Sequence, residues 1–286
     1  MIRLYTDTSA NLTSEMIGKY GIRLVPFTYR VDDREPNRSP DGDFDGKAFY
    51  DAMRNGATVK TSMINIVDFM EAFRGALDNG DDVLYIGMSG GISGAAHAAS
   101  IAVSELQDEY PDRKIVAIDT FAASLGEGLL VIKAAKMIEA GAALDRITEI
   151  IEEERNTMCQ YFTVDDLEYL KRGGRISGIA AVVGTLLKIK PVLKGDGEGR
   201  IVSCGKARGR QAALAALVEK YEKLARDRSS EIGIAHADAP QDAEALLKAL
   251  RKKGFTGKCY NVCYEPVTGA HVGPGTVALF FPGTEK

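Results

Sequence analysis

Two groups of hydroxyls and one histidine stand where their surroundings could support chemistry. Ser93 lies in Ser89-Gly90-Gly91-Ile92-Ser93-Gly94, after the apolar run Val83-Leu84-Tyr85-Ile86-Gly87 and before Ala95-Ala96-His97-Ala98-Ala99. A β-forming run, a Gly-rich turn and an Ala-rich run read as strand, tight turn and helix. Ser93 falls at or just before the first helical turn, where a hydroxyl can cap the helix and free backbone N–H groups attract an anion. Two readings stay open: a plain helix cap, or an anion-binding turn at the carboxyl end of a parallel strand, where open α/β sheets place ligands. Thr61-Ser62, after Lys60, is a further hydroxyl pair in a loop ahead of a helix. His271 sits between Gly269 and Gly273, where backbone can approach a ligand closely and the ring can enter a cleft. A serine with a histidine invites a hydrolase reading. Against it, Gly91-Ile92-Ser93-Gly94 is not the G-x-S-x-G elbow, and spacing offers no third member.

Other chemistries find less support. No P-loop or dinucleotide fingerprint occurs. The three histidines, His97, His236 and His271, have no metal-ligand spacing, so neither a metal nor a cofactor is expected. Asp7 and Asp119 both end expected strands and could meet at one sheet edge, to hold a cation or serve phosphotransfer, or simply to cap turns. Cys159, Cys204, Cys259 and Cys263 form no CxxC pair and read as free thiols. Arg172, Arg175, Arg208 and Arg210 are a basic cluster in sequence, either a solvated face or an anion contact. With 45% hydrophobic and 27% charged residues and a net charge of -4, the chain reads as an ordinary soluble protein rather than a nucleic-acid binder. No apolar run reaches membrane-spanning length, so no stable membrane insertion is expected, and the protein reads as cytoplasmic.

The elements that must position these residues fall into two groups. Ile2–Tyr5, Ile22–Val31, Val83–Gly87 and Ile115–Ile118 are expected strands, alternating with helices over Ser14–Lys19, Ala48–Met53, Ile66–Leu77, the Ala-rich run and Leu125–Glu139. That alternation predicts a doubly wound parallel sheet. Asp32–Asp45 is polar and reads as a loop or a small hairpin excursion. Beyond a helix over Asp145–Arg155 the pattern changes. Cys159–Val164 reads as a strand, Asp165–Arg172 as a helix, and Asp196-Gly197-Glu198-Gly199 as a hairpin turn. Arg210–Ala225 and Gln241–Lys253 read as helices, Glu231–Ala235 and Lys258–Val262 as strands, and Gly269–Phe281 as a Gly/Pro turn running into a last strand. The expectation is an α/β protein with an N-terminal parallel-sheet domain, residues 1–157, and a C-terminal α+β domain with a mixed sheet, residues 158–286.

Several of these stretches, in order and from end to end, resemble the DegV family. They are Thr6–Leu12, Lys60-Thr61-Ser62, Ile92-Ser93-Gly94, Ile118-Asp119-Thr120, Tyr169–Ser177, Lys190-Pro191-Val192-Leu193 and Gly269–Gly275. The Tyr169–Ser177 stretch and the His271 turn are the specific ones. The resemblance implies a two-domain α/β carrier that binds a long-chain fatty acid such as palmitate and is not itself an enzyme. It implies a carboxylate held by Ser/Thr hydroxyls, mapping onto Thr61, Ser62, Ser93 and the adjoining Gly94, with His271 close to the head group. It also implies a fatty acid kinase as partner in some members, with Arg175, and Arg172 beside it, on the partner-facing end. Met63 and Ala95 depart from the family pattern, where Gln and Thr are common. Apolar residues around Ile64–Phe73 and Ile176–Leu187 are the expected tail-pocket walls. A scaffold docking a partner through Lys171, Arg172 and Arg175 is the plainer alternative.

Overall fold

The structure, a computed structural model, describes residues 1–176 and 189–286. Apart from Ile176, the wall expected over Ile176–Leu187 lies outside the described residues, as do Ser177 and Gly178.

The chain opens with β1 (Ile2–Asp7), α1 (Ser14–Tyr20), β2 (Arg23–Val25), β3 (Thr28–Val31), β4 (Asn37–Arg38), α2 (Lys47–Arg54), β5 (Val59–Ser62) and α3 (Ile66–Leu77). There follow β6 (Asp82–Gly87), α4 (Ala95–Glu109), β7 (Ile115–Asp119), α5 (Leu125–Glu139) and α6 (Leu144–Glu154). β2, β1, β6 and β7 lie in that order as a four-stranded, all-parallel sheet. The winding direction reverses between β1 and β6, which opens a crevice at their carboxyl ends.

The single strand expected over Ile22–Val31 is instead two. Pro26 has no N–H for a ladder, and the Phe27 N–H is taken by Thr8 Oγ1 at 3.2 Å. Released from the parallel sheet, β3 pairs antiparallel with β4 and β5 in a three-stranded sheet of its own. The Thr61-Ser62 pair is therefore in a strand and not in a loop.

The remainder runs β8 (Met158–Thr163), α7 (Glu168–Gly173), β9 (Ile189–Gly195), β10 (Ile201–Arg208), α8 (Arg210–Leu224), β11 (Ile232–His236), α9 (Pro240–Lys252), β12 (Cys259–Cys263), α10 (Pro266–Val272) and β13 (Val277–Pro282). These strands form a mixed sheet ordered β10-β9-β8-β13-β11-β12, antiparallel except for the β11–β12 pair. The hairpin expected around Asp196–Gly199 joins β9 to β10.

The change of sheet falls between Glu154 and Met158, yet one apolar core spans it. Helix α5 is buried on most of its circumference, from Leu125 to Ala135, as a helix apolar all round must be. It packs against β1 and β6 on one side and β8, β11 and β13 on the other. Leu4, Ile86 and Ile118 of the parallel sheet therefore share a core with Phe162, Ala235 and Phe280 of the mixed sheet.

Candidate functional site

The carboxyl ends of the parallel strands face the mixed sheet across a cavity of about 840 Å³, open mouth included. Its walls are apolar: Met88, Ile92, Ala122 and Ala123 from the parallel sheet's loops, and Phe162, Ile201 and Phe280 from the mixed sheet. Thr61, Ser93, Ser124, Gln160, Thr268 and His271 supply its uncharged polar groups.

The placing of these groups has local causes. β5 alternates its side chains between two faces, so Thr61 points into the cavity while Ser62 is exposed. Ser62 is thus outside the described cavity, contrary to its expected place beside the head group. His271 is in the last turn of α10 rather than in a Gly-rich turn. That helix is anchored at its start by Glu265, whose carboxylate accepts from the Val267 and Thr268 N–H groups, each at 2.6 Å, and from Ser39 Oγ at 2.6 Å. From this fixed helix His271 Nε2 lies 2.9 Å from Thr61 Oγ1. On its other side the ring packs so tightly against Gly173 that a Cβ there would overlap Nδ1. Burial, and then the nearby Arg175, push the His271 pKa down to about 4. The imidazole is neutral at pH 7 and presents one donor and one acceptor.

Ser93 also lines the cavity, but α4 begins one residue later than a cap at Ser93 requires. Gly94 is the N-cap and has no side chain to offer; Ser93 Oγ accepts locally from the Ala95 N–H at 3.3 Å. Gly94 lies on the neighbouring surface groove with Met63 and His97, not on the cavity. Met63 lines both. Thr268, three residues before His271 on the same helix, went unnoticed in the sequence. Its Oγ1 is buried at the cavity beside the Glu265 carboxylate, without a well-aligned hydrogen bond among the described residues.

Arg175 lines the cavity and a second groove with Lys60, Thr61, Arg172 and His271. Its Nε donates to Ile92 O at 3.2 Å and its Nη1 to Gly173 O at 2.5 Å. Arg172 is exposed and lies over the Tyr169 ring.

The tail wall expected over Ile64–Phe73 is elsewhere. Ile64, Phe69 and Phe73 pack with Tyr5 and Tyr85 in a separate core cluster. The two aspartates serve the backbone. Asp7 accepts from the Met88 N–H and Tyr85 hydroxyl, at 3.0 and 2.8 Å. Asp119 accepts from the Gly90 and Phe121 N–H groups at 3.0 and 2.9 Å. Behind Asp7, Ser9 Oγ lies 2.5 Å from Asp7 Oδ1 and 2.9 Å from Glu127 Oε2. One hydroxyl has one hydrogen, so one of these two carboxyls carries a proton. Burial and the charge of Asp7 hold the Glu127 pKa well above its usual range. Among the described residues no cluster of three or more possible metal ligands occurs, and no helix is long and apolar enough to cross a membrane.

A parallel sheet and a mixed sheet, joined through one buried helix and lining a largely apolar cavity, define a two-sheet α/β protein with a candidate ligand site. A family model described as an uncharacterised protein of the DegV family matches residues 1–283. A DegV domain-containing protein from Clostridium perfringens is 39% identical over 285 residues, 99% of this chain and 98% of that one. The chain belongs to the DegV family. It superposes on a DegV family protein from Thermus thermophilus, described for fatty acid binding, with a TM-score of 0.88, 31% identity and 98% of each chain covered. DegV from Bacillus subtilis, described as a fatty acid binding protein, gives 0.84, 29% and 98% of each.

Proposed function

We propose that this protein is a long-chain fatty acid carrier, not a catalyst, with the acyl tail in the cavity between the sheets. The carboxylate is held by Thr61, Ser93 and His271. The observation that carries this reading is a largely apolar cavity into which Thr61 and the neutral His271 bring an uncharged hydrogen-bonding pair 2.9 Å apart. Structures of related family members described as fatty acid binding support it. The energetics are compatible. Sheltering roughly fourteen methylenes contributes on the order of 11 kcal/mol before ordering costs, and a carboxylate buried without partners would erase several kcal/mol of that.

The same reading places a kinase partner on the groove bordered by Lys60, Arg172 and Arg175. This groove adjoins Thr61 and His271 from outside the cavity, and its cations suit a partner bringing a nucleotide's phosphates toward the carboxylate. Protein purified from a bacterial host is expected to release acyl chains into organic solvent, detected by mass spectrometry. Ser93→Ala is expected to retain fewer of them with its fold unchanged. A parent preparation free of acyl chains refutes the carrier reading, whereas Ser93→Ala holding palmitate as firmly as the parent refutes the head-group assignment.

A further inference from the structure

We infer that the apolar groove between α3 and α4 is where an acyl chain docks before it passes into the cavity, displacing the Met63 side chain as it enters; this rests on the carrier reading above. Among the described residues three large apolar side chains are exposed, and two of them, Met63 (51%) and Val67 (59%), rim this groove with Ile66, Ala98 and Ile101. Exposed apolar side chains gathered in one concavity mark a binding surface, as singly scattered ones do not. The groove adjoins the cavity through Met63, which lines both. The Met63 thioether rests on Gly94, where a Cβ would lie 2.7 Å from Sδ. The cover is thus one flexible side chain lying on a residue that has none.

The backbone under Met63 is held on both sides, so its side chain can move alone. Thr61 before it is paired with Tyr29 in the β3–β5 ladder, and Ile64 after it is buried. Asn65 then caps α3, accepting from the Asp68 N–H at 3.0 Å while its own N–H donates to Asp68 Oδ2 at 3.3 Å. Methionine is unbranched with three rotatable bonds, so it can swing off Gly94 without disturbing that frame. The groove also distinguishes the two ends of the ligand. Among the described residues lining it are the carboxylates of Asp68 and Glu71 and no Lys or Arg, so it repels a carboxylate, whereas the groove with Lys60, Arg172 and Arg175 attracts one. Met63 follows Thr61 by two positions and Gly94 directly follows Ser93, which puts this entrance beside the head-group residues. The tail therefore enters first, past Met63, and the carboxylate stops at the Thr61–His271 pair.

The test loads delipidated protein with palmitate, adds an excess of perdeuterated palmitate and follows uptake of the label by mass spectrometry. Met63→Ala is expected to exchange about tenfold faster, because no side chain has to leave the entrance. Gly94→Ala, whose backbone φ of -73° suits alanine, is expected to speed exchange in the parent, where its Cβ unseats the thioether, and to add nothing in Met63→Ala. Val67→Ser, on the groove but not on the cavity, is expected to slow exchange about threefold. Mixed with the parent at limiting palmitate, Val67→Ser is expected to hold an equal share at equilibrium. Exchange that is not faster in Met63→Ala or not slower in Val67→Ser overturns the inference. So do additive effects of Met63→Ala and Gly94→Ala, or a lowered equilibrium share in Val67→Ser. A parent that retains no acyl chain refutes the carrier reading instead, and this inference with it.

Discussion

Replacing His271 by glutamine should remove a pH dependence from the stability of the delipidated protein. Burial and Arg175 bring the folded-state pKa of the ring to about 4, against an ordinary value of 6.5. A group whose folded pKa is depressed contributes stability that is present above the unfolded pKa and is lost as the pH falls toward the folded value. The linkage relation gives a loss of about 2 kcal/mol between pH 7 and pH 5, rising to about 3 kcal/mol by pH 3. Asp7, Glu127 and Glu265 have raised pKa values, with burial the largest cause of each, so their contribution runs the opposite way, falling as the pH rises. They are present in both proteins and cancel in the difference. Urea unfolding of parent and His271→Gln at pH 7, 6 and 5 supplies the comparison. Delipidated protein is required, because a carboxylate beside the imidazole would raise its pKa. The parent should lose about 2 kcal/mol relative to the variant across that window. A parent–variant difference that stays constant from pH 7 to 5 refutes the neutral, buried imidazole on which the description of the head-group site depends.

Thr268→Val removes a buried hydroxyl that has no well-aligned hydrogen bond among the described residues. It should stabilise delipidated protein by about 1 kcal/mol while weakening acyl retention about tenfold; thermal melts and lipid extraction that move in the same direction count against a head-group role. Gly173→Ala should displace the His271 ring from Thr61 and lower acyl retention, seen by extraction, because the new Cβ occupies the place of Nδ1. Glu127→Gln should be stable at pH 7 and should gain on the parent as the pH rises. The raised pKa of Glu127 gives the parent stability that is complete below the usual carboxylate range and is lost toward the higher folded value. Urea unfolding at pH 5 and pH 8 checks it, and a variant that falls behind the parent at pH 8 shows Glu127 ionised in the fold.

The parallel sheet was legible because its strands are apolar runs separated by helices with clear stops. Ser93 and His271 stand out in the sequence because each lies among glycines that thin the chain around it, and both line the cavity. Ser62 was misplaced for want of one fact, that Val59–Ser62 is a strand. Once the backbone is extended, alternation sends one hydroxyl of the Thr61-Ser62 pair inward and the other out. Thr268 was missed for a related reason. Read as a turn, Gly269–Gly275 begins after it; read as the helix Pro266–Val272, the same stretch puts Thr268 and His271 on one face, three residues apart. The acyl-sized wall could not be read from any run, because Ile92, Ala122, Phe162, Ile201 and Phe280 come from five separate segments. The apolar face of α3 obeys the same helical period whether it lines a cavity or a core, and here Phe69 and Phe73 are core.

The proposed head-group site also bears on what can be done to a carboxylate held there. A guanidinium grips a carboxylate best through two parallel N–H groups, which would occupy both oxygens. Arg175 is partly spent: its Nε donates to Ile92 O and one Nη1 hydrogen to Gly173 O, which removes the two-pronged face that uses Nε. Its charge also reaches the site, as its effect on His271 shows. Under the carrier reading, Thr61, Ser93 and a neutral imidazole each contribute single hydrogen bonds to the carboxylate. Such bonds hold an anion in place while leaving its lone pairs partly free. An enclosed apolar tail would then supply the affinity, and the loosely held oxygens would remain free to attack a phosphoryl donor brought to the cationic groove, with the diphosphate leaving. A tighter head-group site would bind the acid more firmly and present it less well.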